Sequence, residues 1–332
     1  MKIYQKALRK IISVIAFLIP ILASAQFKVV GYIRSKASVV SDLKKIDLSK
    51  ITHLNIAFIN PDTTGNFKDF PELDSVILLA HKANVKVLMS CGGGSRQAYY
   101  AKLLADDNRA KVVRNFLSFV KRYKLDGIDV DIEGDDIDDN YEKFVVELKQ
   151  PLLKSKKLLT AALAYPTRNK ITDKALQQFD FINAMAYDKT GPWRPTNPGQ
   201  HAPISYATDH LNYWTKERGP ANLPASKVVL GVPFYGYGFG SLPLADRTYK
   251  EMSWDTIIKK FPDSINVDEV VLPNEGGTIY YNGKATIKVK TELALKEAGG
   301  IMIWQLMHDS FDENSLLKVI NDTVKQAEKR IK

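Results

Sequence analysis

The chain has 332 residues, a formal net charge of +10, 45% hydrophobic residues and a single cysteine, Cys91. That length can bury one large core, and a lone cysteine leaves no intrachain disulfide, so stability has to come from packing. The positive charge is spread without an arginine cluster, a zinc-ligand spacing or an aromatic RNA motif, which removes nucleic acid as an expected partner.

In chain order, Lys2, Lys6, Arg9 and Lys10 precede a mostly apolar run of 12 residues, Ile11 to Leu22, and then the small residues Ala23-Ser24-Ala25. This is the pattern of a secretory signal peptide over residues 1–25, cleaved after Ala25, and it implies a secreted or periplasmic protein. An uncleaved anchor is the alternative, although the run is short for a bilayer span. Removing the four basic residues, with no acid among the first 25, lowers the charge from +10 to +6 over the remaining 307.

Eight short β-branched runs follow: Lys28 to Ile33, His53 to Ile59, Lys86 to Ser90, Gly127 to Ile132, Leu158 to Leu163, Phe181 to Ala186, Val228 to Val232 and Gly300 to Trp304. Amphipathic stretches lie between and after them, at Pro71 to Ala83, Asn108 to Lys124, Asn140 to Lys154, Ser205 to Arg218, Ile287 to Ala298 and Ser315 to Arg330. Alternation of strand and helix argues for parallel strands joined by crossovers. Eight repeats at this length predict an α/β (β/α)8 TIM barrel over residues 26–332 as one catalytic domain. A doubly wound open sheet is the second choice, weakened because no Gly-x-Gly-x-x-Gly follows the first strand. Residues 238–286 break the rhythm between the seventh strand and its helix. They predict a short insertion with a helical stretch near Ser253 to Lys260 and a hairpin through Thr278 to Ala285, turning at Asn282-Gly283.

Residues 126–133 read Asp-Gly-Ile-Asp-Val-Asp-Ile-Glu. Strand alternation puts Asp129, Asp131 and Glu133 on one face and Val130 and Ile132 on the other. Acids about 6.5 Å apart along a strand and away from water cannot all ionise freely, so at least one keeps its proton near neutrality. That is what general acid catalysis requires. A solvated acidic face and a site for a hard cation such as calcium are the competing readings, the second lacking the usual Asp/Asn/Gly loop. His53, His81, His201, His210 and His308 show no ligand spacing, and neither a metal nor a cofactor is expected.

Asp126, Asp129, Asp131 and Glu133 match the Asp-x-x-Asp-x-Asp-x-Glu signature of family 18 glycoside hydrolases, the chitinase family. Ser90-Cys91-Gly92-Gly93 resembles that family's Ser-x-Gly-Gly motif, Met185-Ala186-Tyr187-Asp188 its Met-x-Tyr-Asp motif, and Gly299 to Trp304 its closing strand. The resemblance implies a retaining, substrate-assisted glycosidase in which Glu133 is the acid and the substrate's own 2-acetamido oxygen is the nucleophile. It assigns Asp131, Asp129 and Tyr187 to catalysis, and Asp188, Met185 and Trp304 to the sugar. Gly93 implies close backbone approach beneath a groove. Tyr32, Phe58, Trp193, Tyr235 and Tyr237 are candidates to line that groove, with ordinary core packing the alternative for each.

The implied partner is an N-acetylglucosamine-containing oligo- or polysaccharide such as chitin, with no obligate protein partner and a monomeric chain. An endo-β-N-acetylglucosaminidase acting on N-glycan cores uses the same acid and acetamido group, and stays open. A non-catalytic chitin-binding lectin is more remote, because Glu133 is present. Gln305, where many relatives carry Glu, and Tyr237, where many carry Arg, are departures from the family pattern.

Overall fold

The computed structural model describes residues 26–242 and 247–331, so the expected leader, residues 1–25, lies outside the described residues. Seven strands come first: β1 (Lys28–Arg34), β2 (His53–Ala57), β3 (Lys86–Gly92), β4 (Gly127–Asp131), β5 (Leu158–Leu163), β6 (Phe181–Ala184) and β7 (Val228–Pro233). Four strands of an insertion follow: β8 (Tyr235–Gly240), β9 (Met252–Ser253), β10 (Glu269–Leu272) and β11 (Gly277–Tyr280). The last strand, β12 (Gly300–Trp304), pairs in parallel with both β7 and β1. The ring is closed in the order β1-β12-β7-β6-β5-β4-β3-β2. All eight barrel strands begin at the residue expected from the sequence, and their ends move by at most two positions.

The helices are α1 (Val39–Leu43), α2 (Leu73–Lys82), α3 (Tyr99–Leu103), α4 (Asp106–Arg122), α5 (Asp139–Lys154), α6 (Asp173–Leu176), α7 (Ile204–Lys216), α8 (Trp254–Lys260), α9 (Lys284–Glu297) and α10 (Leu316–Ile331). α4 carries Asp106 and Asp107 in its first turn and Lys121 and Arg122 in its last, charges that suit the helix dipole at each end. Its buried stripe of Val112, Val113, Phe116, Phe119 and Val120 joins Phe144, Val145 and Leu148 of α5. Ile128, Val130 and Ile132 belong to the same apolar cluster. Burying each of those three contributes about 1.5–3 kcal/mol, and alternation then leaves Asp129 and Asp131 no choice but the barrel interior.

The insertion forms a four-stranded sheet in the order β10-β11-β8-β9 with α8 beside it. It starts at Tyr235, directly after β7, and ends before α9, three residues earlier at each end than the sequence pattern suggested. The expected hairpin is also displaced. The chain reverses between β10 and β11, paired from Glu269↔Tyr280 to Leu272↔Gly277, and not at Asn282-Gly283. Asn282 is buried with its side-chain oxygen on Lys290, and Gly283 is the N-cap of α9.

Cavities mark both ends of the barrel. One of about 610 Å³ sits at the N-terminal ends of the strands, where Gln26, Lys28, His53, Lys86, Phe181 and Lys325 line it. At the other end, cavities of about 490 and 460 Å³ share Ser35, Phe58 and Asn60. The first holds the lysines Lys28, Lys50, Lys86 and Lys325 beside Asp180 and Glu328. The second pair lies where the strands' C-terminal ends converge, the face on which barrel enzymes build their sites.

Candidate active site

Inside the barrel, Asp129 is the hub of a polar layer. Its Oδ2 accepts the Tyr32 hydroxyl at 2.6 Å and the Ser90 hydroxyl at 2.8 Å, while Oδ1 accepts Thr160 at 2.6 Å and the Asn183 amide at 3.2 Å. The donors arrive from β1, β3, β5 and β6, because inward positions of neighbouring strands share a level in the ring. Burial pushes the Asp129 carboxyl up, and the four donors hold it down.

One strand step outward the environment reverses. Asp131 is 3% exposed, and its Oδ1 is buried with no hydrogen-bond partner among the described residues. Burial, followed by the charges of Glu133 and Asp129, raises its carboxyl well above the ordinary range. Glu133 stands just past the end of β4, half-buried. Burial and then the Asp188 charge raise its pKa to about 7, so a large share of the molecules keep this proton at neutral pH.

Ser90-Cys91-Gly92-Gly93 is required for this approach. Gly92 has φ of +103°, and a Cβ there would lie 2.2 Å from the Asp131 carbonyl oxygen. Gly93, also at +103°, donates its N–H to that oxygen at 2.7 Å, and a Cβ there would meet the Phe58 ring at 2.6 Å. Cys91 points the other way. It is fully buried, and burial pushes its thiol up, which makes it packing and not a nucleophile.

Trp304 ends β12 over this acid row, half-buried, with Phe58 stacked on it at 5.7 Å between centroids and Tyr32 edge-on at 5.6 Å. Tyr187 brings a buried ring from the end of β6. Its hydroxyl meets only the Met302 sulfur, at 3.8 Å, a weak acceptor that leaves the O–H available. Met185 is buried in the same apolar cluster. Asp188 follows in a left-handed conformation, φ 59°, with an exposed carboxyl. Its Oδ1 accepts the hydroxyls of Tyr235 at 2.6 Å and Tyr237 at 3.1 Å. Trp193 is 54% exposed on the loop beyond and packs edge-on against Tyr237 at 5.3 Å.

Three groove candidates are buried. Tyr32 is 1% exposed with its hydroxyl on Asp129, and Tyr235 is 2% exposed with its hydroxyl on Asp188. Tyr237 is likewise buried. All three turn their hydroxyls to acids. Phe58, Gly93 and Trp304 line the 490 Å³ cavity, together with Arg34, Asn60 and Gly94. Gly94 ties that cavity to the acid, because a Cβ on it would lie 3.4 Å from Glu133 Oε1. Asp126 bonds the Val87 N–H at 2.8 Å and His81 at 2.7 Å at the start of the strand, away from the mouth.

Sequence reasoning missed Asn183, Thr160, Asn60 and His201. Inward alternation with Phe181 and Met185 marks Asn183, and the same count on β5 marks Thr160. Asn60, whose amide accepts the Gly92 N–H at 2.6 Å and donates to the Gly92 carbonyl at 2.9 Å, and His201 sit on loops with no period to reveal them.

A closed (β/α)8 barrel with proton-holding and unpartnered acids at the C-terminal mouth defines a barrel enzyme of the acid-catalysis class. The sequence model of Glycosyl hydrolases family 18 matches residues 28–309, and the chain belongs to that family. Among solved structures, it resembles the family 18 chitinase ChiB from the chitin utilization locus of Flavobacterium johnsoniae, with 39% identity and a TM-score of 0.81 over 92% of this chain and 96% of that one. A chitinase from Bacteroides thetaiotaomicron is 28% identical, with a TM-score of 0.77 over 90% and 96%. A chitinase-like effector of Moniliophthora roreri is 30% identical over 229 residues, covering 59% of this chain and 55% of the relative. An endochitinase of Manduca sexta is 28% identical over 237 residues, covering 59% and 42%. The chain thus spans about half the length of these curated relatives.

Proposed function

We propose that this chain is a chitinase that cleaves β-1,4 linkages next to N-acetylglucosamine by a retaining, substrate-assisted mechanism. The observation that carries the reading is the Asp131 Oδ1, buried and unpartnered, one strand step inside a Glu133 that keeps its proton to about pH 7. A buried acceptor without a donor costs about 1–3 kcal/mol; a substrate amide N–H arriving there relieves it.

In the proposed reaction Glu133 gives its proton to the glycosidic oxygen as the bond to the anomeric carbon breaks. The acetamido oxygen attacks that carbon, and the oxazolinium ion so formed carries its positive charge beside Asp131, which accepts its N–H. The Tyr187 hydroxyl orients the acetamido oxygen, and Trp304 supplies the floor for the ring. Water then opens the oxazolinium from the same face, returning its proton to Glu133. The similarity to chitinases of Flavobacterium johnsoniae, Bacteroides thetaiotaomicron and Manduca sexta supports chitin over an N-glycan core. Residence outside the cytoplasm, resting on the residues 1–25 pattern, and a monomeric chain belong to the same proposal.

Glu133→Gln should lower kcat on chitohexaose by at least about 10³-fold while binding of the oligosaccharide persists. Fully deacetylated chitosan of matched length should not be cut at a comparable rate. A Glu133→Gln enzyme with most of its rate removes Glu133 as the acid, and rapid cleavage of the deacetylated polymer removes the acetamido nucleophile.

A further inference from the structure

His201 has no place in that mechanism, yet it is wholly buried against the site. Its Nε2 lies 3.3 Å from the Tyr235 carbonyl oxygen, which can only accept, so Nε2 carries a proton. Its Nδ1 faces Asp188 twice, at 3.4 Å from the backbone N–H and at 3.3 Å from carboxyl Oδ1. As a neutral ring it accepts the Asp188 N–H; as imidazolium it donates to the Asp188 carboxylate. Either way the contact falls on the residue in the left-handed conformation, the least self-supporting backbone in the site.

The clasp is reinforced on both sides. The His201 carbonyl accepts the Lys189 N–H at 2.9 Å, which closes the loop bearing Trp193. The next carbonyl, of Ala202, accepts the Lys290 ammonium of α9 at 2.6 Å. The imidazole packs against the Tyr235 and Tyr237 rings, with centroids at 5.1 and 4.9 Å. The other ionisable groups whose charges bear on Asp188 are Glu133 beyond β4, Tyr187 beside it, Tyr206 on α7 and Glu251 in the insertion.

We propose that His201 is the positioning residue of this site: by holding Asp188 through its backbone N–H as a neutral ring, or through its carboxyl as imidazolium, it fixes where the Asp188 charge stands relative to Glu133. The inference rests on the reading of Glu133 as the acid. Freed from His201, Asp188 keeps only its tyrosines, its charge moves with its backbone, and Glu133 loses part of the like-charge field that retains its proton.

The test compares His201→Gln, which reaches the Tyr235 carbonyl and abandons Asp188, with His201→Asn, which keeps a polar atom near the Nδ1 position. On chitohexaose, His201→Gln should lose about tenfold in kcat with a smaller change in KM, and the alkaline limb of its pH profile should move to lower pH. His201→Asn should recover most of both. In an Asp188→Asn background His201→Gln should add no further loss, because the charge it positions is gone. A wild-type rate and limb in His201→Gln, or an equal loss in the Asp188→Asn background, overturns the proposal. If His201→Gln melts too early to assay, His201→Asn decides: a profile near wild type supports the clasp and a displaced one overturns it. Glu133→Gln retaining its rate would instead strike the reading of the acid.

Discussion

Asp129 and Asp131 share one strand and one face, two residues apart, and both are removed from water, yet they live in opposite surroundings. Asp129 has two donors on each oxygen, supplied by four different strands. Asp131 has an oxygen with none. A carboxylate that is fully answered by its own protein is a structural element, because it has no capacity left for a substrate. One that is left unanswered keeps capacity for a donor from outside the chain, and the fold bears the desolvation cost in advance.

The contrast can be broken most directly at Asp131. Asp131→Asn should lower kcat by about 10²–10³-fold with little loss of stability, since the orphaned oxygen has no bond to lose. Asp129→Asn should do the reverse. Its amide would turn an N–H toward donors that need an acceptor, costing about 2–3 kcal/mol in urea unfolding, with a smaller loss of rate than Asp131→Asn. If Asp129→Asn matched Asp131→Asn in lost rate at unchanged stability, the two acids would not be separable in this way.

A finer test uses Asp188, which bears on the outer acid. Activity needs Glu133 protonated and should fall as pH rises through about 7. A nearby like charge raises a carboxyl pKa, so removing it lowers one. Asp188→Asn should therefore move the alkaline limb of kcat/KM to lower pH, measured on a soluble chitooligosaccharide, and an unmoved or raised limb would detach Asp188 from the acid.

What the sequence made legible follows its periodicities. Every residue that reaches the site from a strand is placed by period-two alternation, which is why the acid row, Met185 and Trp304 fall where their spacing puts them. The insertion defeated the same logic. Asn282-Gly283 has the composition of a hairpin turn, but tertiary contacts with Lys290 claimed the asparagine and α9 claimed the glycine. The true hairpin has a half-exposed Glu-Val-Val-Leu arm, too short and too mixed to stand out. Tyr32, Tyr235 and Tyr237 were recognisable as aromatics near strand ends. Only their depth shows that the rings are buried and that their hydroxyls serve acids.

The 610 Å³ cavity on the far face has a practical meaning. Gln26, the first described residue, and Lys325, in the last helix, both line it. A linker attached at the exposed Lys325 would hold the molecule from beneath the barrel, leaving the groove directed away from its anchor.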